Sequence, residues 1–161
     1  MFYDAGAIKK GFNQLGSDAL ERKQAMSQYE RALGRGRRQQ LQAKFTGRSR
    51  QLLALADLHN GQHINEQRYG GVRTVSLHQI RGSENRVKEF DIDFNPLAEH
   101  IEQRWIGIAA AHLTGKHLPP VELIQVGETY FVRDGHHRIS VARAYGQYEI
   151  DAIVTVMQAS E

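Results

Sequence analysis

A change of hydrophobic period near residue 60 is the feature that most limits what this chain can fold into. Before it, apolar residues recur every three or four positions, as on one face of an amphipathic helix. After it, the run VRTVSLHQI alternates apolar and polar side chains, as a half-buried strand does. The segment between them is polar and contains glycines. The pattern predicts a helical arm at 1–60, a linker at 61–71 and a domain containing strands at 72–161.

The arm is predicted to hold two helices. Ser17 and Asp18 are good N-cap residues, and helical spacing follows them, so the first helix is expected over 18–33. The glycines of the GRGRR segment are expected to end it. A second periodic run predicts another helix over 37–59.

The charge of the chain is unevenly distributed. Residues 1–60 contain 11 Lys and Arg against 5 Asp and Glu, a net +6, and residues 61–161 contain 10 against 13, a net −3. A basic arm predicts an anionic partner such as DNA, and the residues expected to contact it are Arg35, Arg37, Arg38 and Lys44. No base-reading motif accompanies them, so packing on the acidic half or a homodimer contact is an open alternative.

Residues 72–161 are predicted to form a mixed α and β domain. Trp105 lies on the apolar stripe of a predicted helix and is expected in the core. Gly127-Glu128 suits a two-residue hairpin connection. The expected elements are strands at 72–80 and 86–94, a helix at 97–115, hairpin strands at 121–126 and 129–133, a helix at 139–146 and a strand at 150–157. The fold class expected is therefore α+β, with a helical N-terminal arm.

The turn between the second hairpin strand and the next helix carries the candidate chemistry. Backbone N–H groups in the first turn of a helix have no partner inside it, and the helix dipole makes them attractive to anions. Gly135 would let a ligand approach the backbone, and Arg138 could hold two phosphate oxygens. His136 and His137 could add donors that switch near neutral pH. The structural alternative is an ordinary turn and helix cap.

Asp134 is the unexpected member of this turn, because a carboxylate repels phosphate. It is expected to cap the helix and orient a histidine, with a Mg²⁺ ligand as the second interpretation. Two other carboxylates, Asp91 and Asp93, could bind a cation, but solvent-facing side chains are the interpretation preferred for them. His59 and His63 are interpreted as part of a solvated linker rather than as a metal pair.

Residues 121–156 resemble the ParB/sulfiredoxin superfamily, whose members share a strand, a G-x-x-R turn, a helix and a strand. Gly135 and Arg138 match that turn, and the resemblance covers roughly residues 72–157. The chain has no cysteine, and His136 stands where sulfiredoxins have their reactive thiol, so sulfiredoxin chemistry is excluded. The ParB turn carries further arginines and an alanine, where this chain has His136, His137, Ser140 and Val141. The short segment after the last predicted strand also leaves no room for the helix-turn-helix of ParB.

The free-serine kinases are the branch whose turn matches best, because they also use Asp-Gly-His-His-Arg to hold nucleotide phosphates. In them an upstream glutamate activates the substrate hydroxyl, which implies Glu84 or Glu89 here, and an arginine such as Arg86 would neutralise the phosphate. The implied catalytic residues are Glu84, Arg86 and His137. The implied nucleotide-binding residues are Asp134, Gly135, His136, His137, Arg138 and Ser140.

The expected function is therefore nucleotide binding, with ATP, ADP or CTP as ligand, Mg²⁺ as an open addition, and NTP hydrolysis or phosphate transfer as the reaction. The alternative is a DNA-binding partition-like or nuclease-like protein that uses the basic arm. Because the sequence has neither a secretory leader nor a long apolar run, a bacterial cytoplasmic protein without a membrane partner is expected.

Overall fold

The computed structural model describes residues 5–58 and 64–159, with side chains at 16–58 and 67–158. None of its described helices combines the length and apolar content that a bilayer-spanning segment needs. Short 3-10 turns lie at Leu77–Gln79 and Glu99–Ile101. The elements in chain order are α1 (Ala5–Thr46), β1 (Leu53–Ala54), α2 (Leu55–Leu58), β2 (Ile64–Ser76), β3 (Ile80–Ser83), α3 (Glu102–Leu113), β4 (Val121–Val126), β5 (Thr129–Asp134), α4 (His136–Ala144) and β6 (Glu149–Ala159).

The six strands form one mixed sheet in the order β1-β3-β5-β4-β6-β2. The pairs β2–β6 and β4–β5 are antiparallel, whereas β1–β3, β3–β5 and β4–β6 are parallel. The predicted hairpin is confirmed, and Gly127 at its turn has φ +61°. The mixed sheet with helices confirms the α+β fold class.

Helix α1 is one continuous helix of 42 residues, so the prediction of two helices separated at the glycines is wrong. Glycine in a helix interior costs only about 1 kcal/mol, which packing can offset. Gly36 is buried where a Cβ atom would lie 2.8 Å from the Pro96 carbonyl oxygen. The glycine therefore allows α1 to approach the segment before α3 closely.

The core lies between α1, α3 and one face of the sheet. Trp105 of α3 is fully buried, as predicted, and its ring centroid lies 5.4 Å from that of Tyr29 on α1. The indole Nε1 donates to the Ser140 hydroxyl at 2.8 Å, and that hydroxyl donates to the Phe94 carbonyl at 2.6 Å. The hydroxyl of Ser140, expected to bind nucleotide, is thus used inside the core.

The segment predicted as a strand at 86–94 is mostly turn, and this prediction is wrong. Asp91 is fully buried there, against the expectation that it faces solvent. Its Oδ1 accepts the backbone N–H groups of Asp93 at 3.0 Å and Asn95 at 2.9 Å. Such local side-chain bonds compete with strand pairing, which explains why alternation of apolar residues misled here.

The predicted linker is also different in the structure, because from Ile64 onward its residues belong to β2. β2 is an edge strand, so its polar composition suits exposure to water on its unpaired side. β1, which precedes the predicted linker in the sequence, belongs to the same sheet as β2. His59 and His63, interpreted as part of that linker, lie outside the described residues.

Candidate functional site

A small polar cavity of about 80 Å³ lies where β5 meets α4. It is lined by most of the candidate residues of the turn and by Arg86, which lies in the loop after β3. Its lining consists of Arg86, Arg104, Ile108, Asp134, Gly135, His136, His137 and Arg138. Glu84 and Ser140 are not among them.

The turn depends on a glycine at its second position. Gly135 has φ +104°, in the left-handed region that side chains rarely adopt. A Cβ atom there would lie 2.5 Å from Cγ1 of Val121. The glycine therefore satisfies both a backbone requirement and a steric one.

The first turn of α4 leaves donors available at the cavity. The Ile139 N–H donates to the Gly135 carbonyl at 3.0 Å, which is the first hydrogen bond of the helix. No side chain of the described residues caps this end, so the prediction that Asp134 caps the helix is wrong. The N–H groups of residues 136–138 precede that first bond and lie at the positive end of the helix dipole.

Arg138 is more constrained than the sequence suggested. Its Nη1 donates to the carbonyl oxygens of Pro119 and, at 2.8 Å, Pro120. Its Nη2 donates to the Asp134 carboxylate at 2.8 Å. These three bonds use three of the five N–H donors of a guanidinium. The expected two-pronged grip on a phosphate is therefore not preformed, although the side chain lines the cavity.

His136 is buried and is bonded to Ser83, the last residue of β3. Its Nε2 lies 2.7 Å from the Ser83 hydroxyl oxygen, which also accepts the N–H groups of Arg86 at 2.9 Å and Asn85 at 3.3 Å. Because those two bonds are accepted, the single hydroxyl proton is free to be donated to Nε2, which must then be unprotonated. Burial, reinforced by nearby Arg86, lowers the pKa of His136 to about 4. His136 thus positions the loop that carries Arg86.

His137, unlike His136, has a buried ring nitrogen without a hydrogen bond in the described chain. The residue is 5% exposed, yet its Nε2 is buried without a hydrogen-bond partner in the described chain. Burial, followed by the charge of Arg104, lowers the pKa of His137 to about 4, so the ring is neutral at pH 7. The edge of the ring contacts Phe90, with centroids 5.5 Å apart. A buried polar atom without a partner is costly, which favours a ligand for it at the cavity.

The two candidate glutamates do not line the cavity. Glu84 is exposed and its carboxylate accepts from Arg133 Nε at 3.3 Å. Glu89 lies 3.4 Å from Nη1 of Arg86 and 3.0 Å from Nε2 of His100. Burial alone would raise the pKa of Glu89. The hydrogen bond from His100 and the charge of Arg86 have a larger effect together, so the pKa of Glu89 lies below its usual value. Glu89 is therefore held as a carboxylate that orients Arg86.

Two lining residues were missed from the sequence, and both belong to α3. Arg104 and Ile108 are four residues apart and share one helix face toward the turn. Arg104 is exposed and makes no ion pair within the described chain. The only available signal was that Ile108 belongs to the apolar stripe of the predicted helix, since the packing of α3 on α4 is a long-range contact.

The cavity offers little to a metal ion by itself. Among the described residues, no group of three or more His, Asp or Glu side chains could hold one. Asp134 is the acidic residue in the lining, and Arg138 already neutralises it. A divalent ion could bind there through a carboxylate together with ligand phosphates, as Mg²⁺ commonly does.

Comparison with known proteins yields a likeness in fold. No protein-family model matches the chain, and no curated protein matches it. The crystal structure of sulfiredoxin from Arabidopsis thaliana matches with 18% sequence identity and a TM-score of 0.39, over 52% of this chain and 82% of that chain. Sulfiredoxins are one branch of the superfamily that the turn resembles. At this identity and TM-score the likeness concerns the fold alone, and no chemistry of the turn follows from it.

Proposed function

We propose that the chain binds a phosphate group of a nucleotide in the cavity at the start of α4. The observation that carries this is the buried Nε2 of His137, which has no hydrogen-bond partner among the described residues, in a side chain that lines the same small cavity as the first residues of α4. A neutral histidine can donate one N–H to an oxygen, and the amides add fixed donors. Within the described part of the chain these groups have no hydrogen-bond partner, and a phosphate oxygen could be that partner.

The charge around the cavity favours an anion as the occupant. Arg86 and Arg104 flank it, and Asp134 is already paired with Arg138. Arg104 has no ion pair in the described part of the chain, and Arg86 is only partly compensated by Glu89 at 3.4 Å, so the net charge beside the cavity favours an anion. We assign the first contact to Arg104, because it has no ion pair to break.

The cavity has room for a phosphate but not for a whole nucleotide. Arg138 also lines a second, larger cavity of about 530 Å³, reaching the loop before β4. A nucleotide held by its phosphate could place its nucleoside on that side. ATP, ADP and CTP remain the ligands proposed, with Mg²⁺ bound through the phosphates.

We also propose that the bound phosphate is hydrolysed from the nucleotide or transferred to an acceptor. Arg86 would neutralise the transferred group, and His137 would contact it. Glu84 would have to leave Arg133 and turn inward to act as a base, and its exposure on a loop leaves it free to rotate. Phosphate release that falls in Glu84→Gln without loss of nucleotide binding would support this role.

A thermal-shift panel tests binding directly. Wild type is heated with millimolar ATP, ADP or CTP, each with and without Mg²⁺. A ligand at about 100 times its Kd adds about 2.7 kcal/mol to the stability of the folded state, a rise of several degrees in Tm for a domain of this size. The shift should shrink in Arg104→Gln and persist in Arg22→Gln, a control exposed on α1. No shift with any nucleotide would overturn the proposal.

A further inference from the structure

A second, strongly basic groove lies between the end of α1 and β3, far along the chain from the turn at residues 134–138. We call it the α1–β3 groove; its volume is about 560 Å³. Its polar lining includes Arg48, Arg50, Arg81, Gln39, Gln42 and Gln51. Among the described residues, no aspartate or glutamate lines it.

Two of its arginines are free to take an external anion. Arg50 pairs with Asp93 and lies 3.7 Å from Asp91, so its charge is used internally. Arg48 and Arg81 are exposed and have no ion pair in the described part of the chain. The groove therefore carries unbalanced positive charge.

The structure also divides the basic cluster that the sequence suggested. At about 100° per residue, Arg37 and Lys44 fall on one side of α1, whereas Arg35 and Arg38 fall on another. Arg37 pairs with Glu99 at 2.7 Å, so it serves the docking of α1 on its own chain. The four residues therefore do not form one surface.

An exposed aromatic ring stands beside the groove. Phe45 is 87% exposed and lies three residues after Gln42, which lines the groove. Arg38 lies one helical turn before Gln42 on the same face. An aromatic ring beside unpaired cations is the combination that single-stranded nucleic acids use, by stacking of bases and contact with phosphates.

We propose that the α1–β3 groove binds a single-stranded nucleic acid. Arg48 and Arg81 contact successive phosphates, and Phe45 offers its ring to a base. Glutamine amides carry both hydrogen-bond donors and acceptors, so the groove glutamines can bond to donors or to acceptors on the edges of bases. A single strand fits better than a duplex, because an exposed ring such as Phe45 can stack on an unpaired base, whereas the bases of a duplex are already stacked on one another. This site is independent of the phosphate cavity proposed above.

Fluorescence anisotropy with labelled oligonucleotides of about 12 nucleotides tests the groove. Oligo(dT), oligo(U) and a duplex of equal length are titrated with the full chain at several salt concentrations. Arg48→Gln/Arg81→Gln should weaken single-strand binding at least about tenfold and reduce the salt slope by about 1.4, since two phosphate contacts are lost. Phe45→Ala should weaken it by about tenfold with the slope unchanged.

The matched control removes the same amount of positive charge from α1, at positions away from the groove. Lys23→Gln/Arg31→Gln lies on the exposed part of α1 away from the groove and should leave binding within about twofold. Absence of binding by wild type, or equal losses in the control and groove variants, would overturn the proposal. Tighter binding of the duplex would overturn the single-strand assignment, and the dT and U arms decide between DNA and RNA.

Discussion

Two adjacent histidines in one turn have different tasks. His136 bonds to the Ser83 hydroxyl and fixes the loop that carries Arg86, whereas His137 keeps a buried nitrogen without a partner. Adjacent residues on a helix point about 100° apart, which explains how the His136 ring reaches Ser83 while the His137 ring does not, although both residues line the cavity. His136 thus positions the loop that carries Arg86, and His137 is available to a ligand.

These histidines make stability depend on pH. Burial lowers both pKa values to about 4 in the folded chain, against about 6.5 when unfolded. Above pH 6.5 both rings are neutral in the folded and in the unfolded chain. As the pH falls, the rings of the unfolded chain take up protons first, so the free energy of unfolding decreases until about pH 4. Between pH 7.5 and 5 we expect the free energy of unfolding to fall by about 2 kcal/mol for each histidine.

Urea denaturation at these two pH values measures the effect. His137→Gln should lose less stability over this interval than wild type, because one of the two titrating rings is gone. His100→Gln is the control, since that ring is exposed and pairs with Glu89 at the surface. A free energy of unfolding that stays constant from pH 7.5 to 5 would contradict the buried, neutral state of both rings.

At the scale of elements, α1 matters because it holds α3, and α3 supplies Arg104 to the cavity. The buried residues Ala25, Tyr29 and Ala32 recur at helical spacing along the face that packs inward. Gln28 adds a hydrogen bond to the Ala144 carbonyl at 2.7 Å, tying α1 to the end of α4. The arm is therefore packed against the two helices that frame the site.

Two glycines in α1 should respond oppositely to alanine. Gly34 has open space around its would-be Cβ, so Gly34→Ala should stabilise the chain by up to about 1 kcal/mol through helix propensity. Gly36→Ala would press a methyl group against the Pro96 carbonyl at 2.8 Å and should destabilise by about 1–3 kcal/mol. Thermal unfolding of both variants measures the difference, and Gly36→Ala at or above wild-type stability would refute the close contact.

For the whole molecule, the sequence pattern predicted the elements from residue 121 onward, but it failed for the segment 86–94 and for long-range packing. The strand, Asp-Gly turn and helix around residues 129–146 follow from neighbouring residues, and so does the burial of Trp105. The continuity of α1 through Gly36 depends on the distant Pro96 segment, and the place of Arg104 depends on how α3 packs. No periodicity in the sequence records those contacts.

The central claim is that the amides opening α4 and the free nitrogen of His137 bind phosphate. The most direct measurement is a titration of ¹⁵N-labelled protein with pyrophosphate, followed by amide and histidine ring resonances. We expect saturable shifts of the His136, His137 and Arg138 amides and of His137 Nε2, all with one Kd, while β2 amides stay unchanged. Resonances of residues 136–138 that do not move while the ligand saturates would contradict this claim.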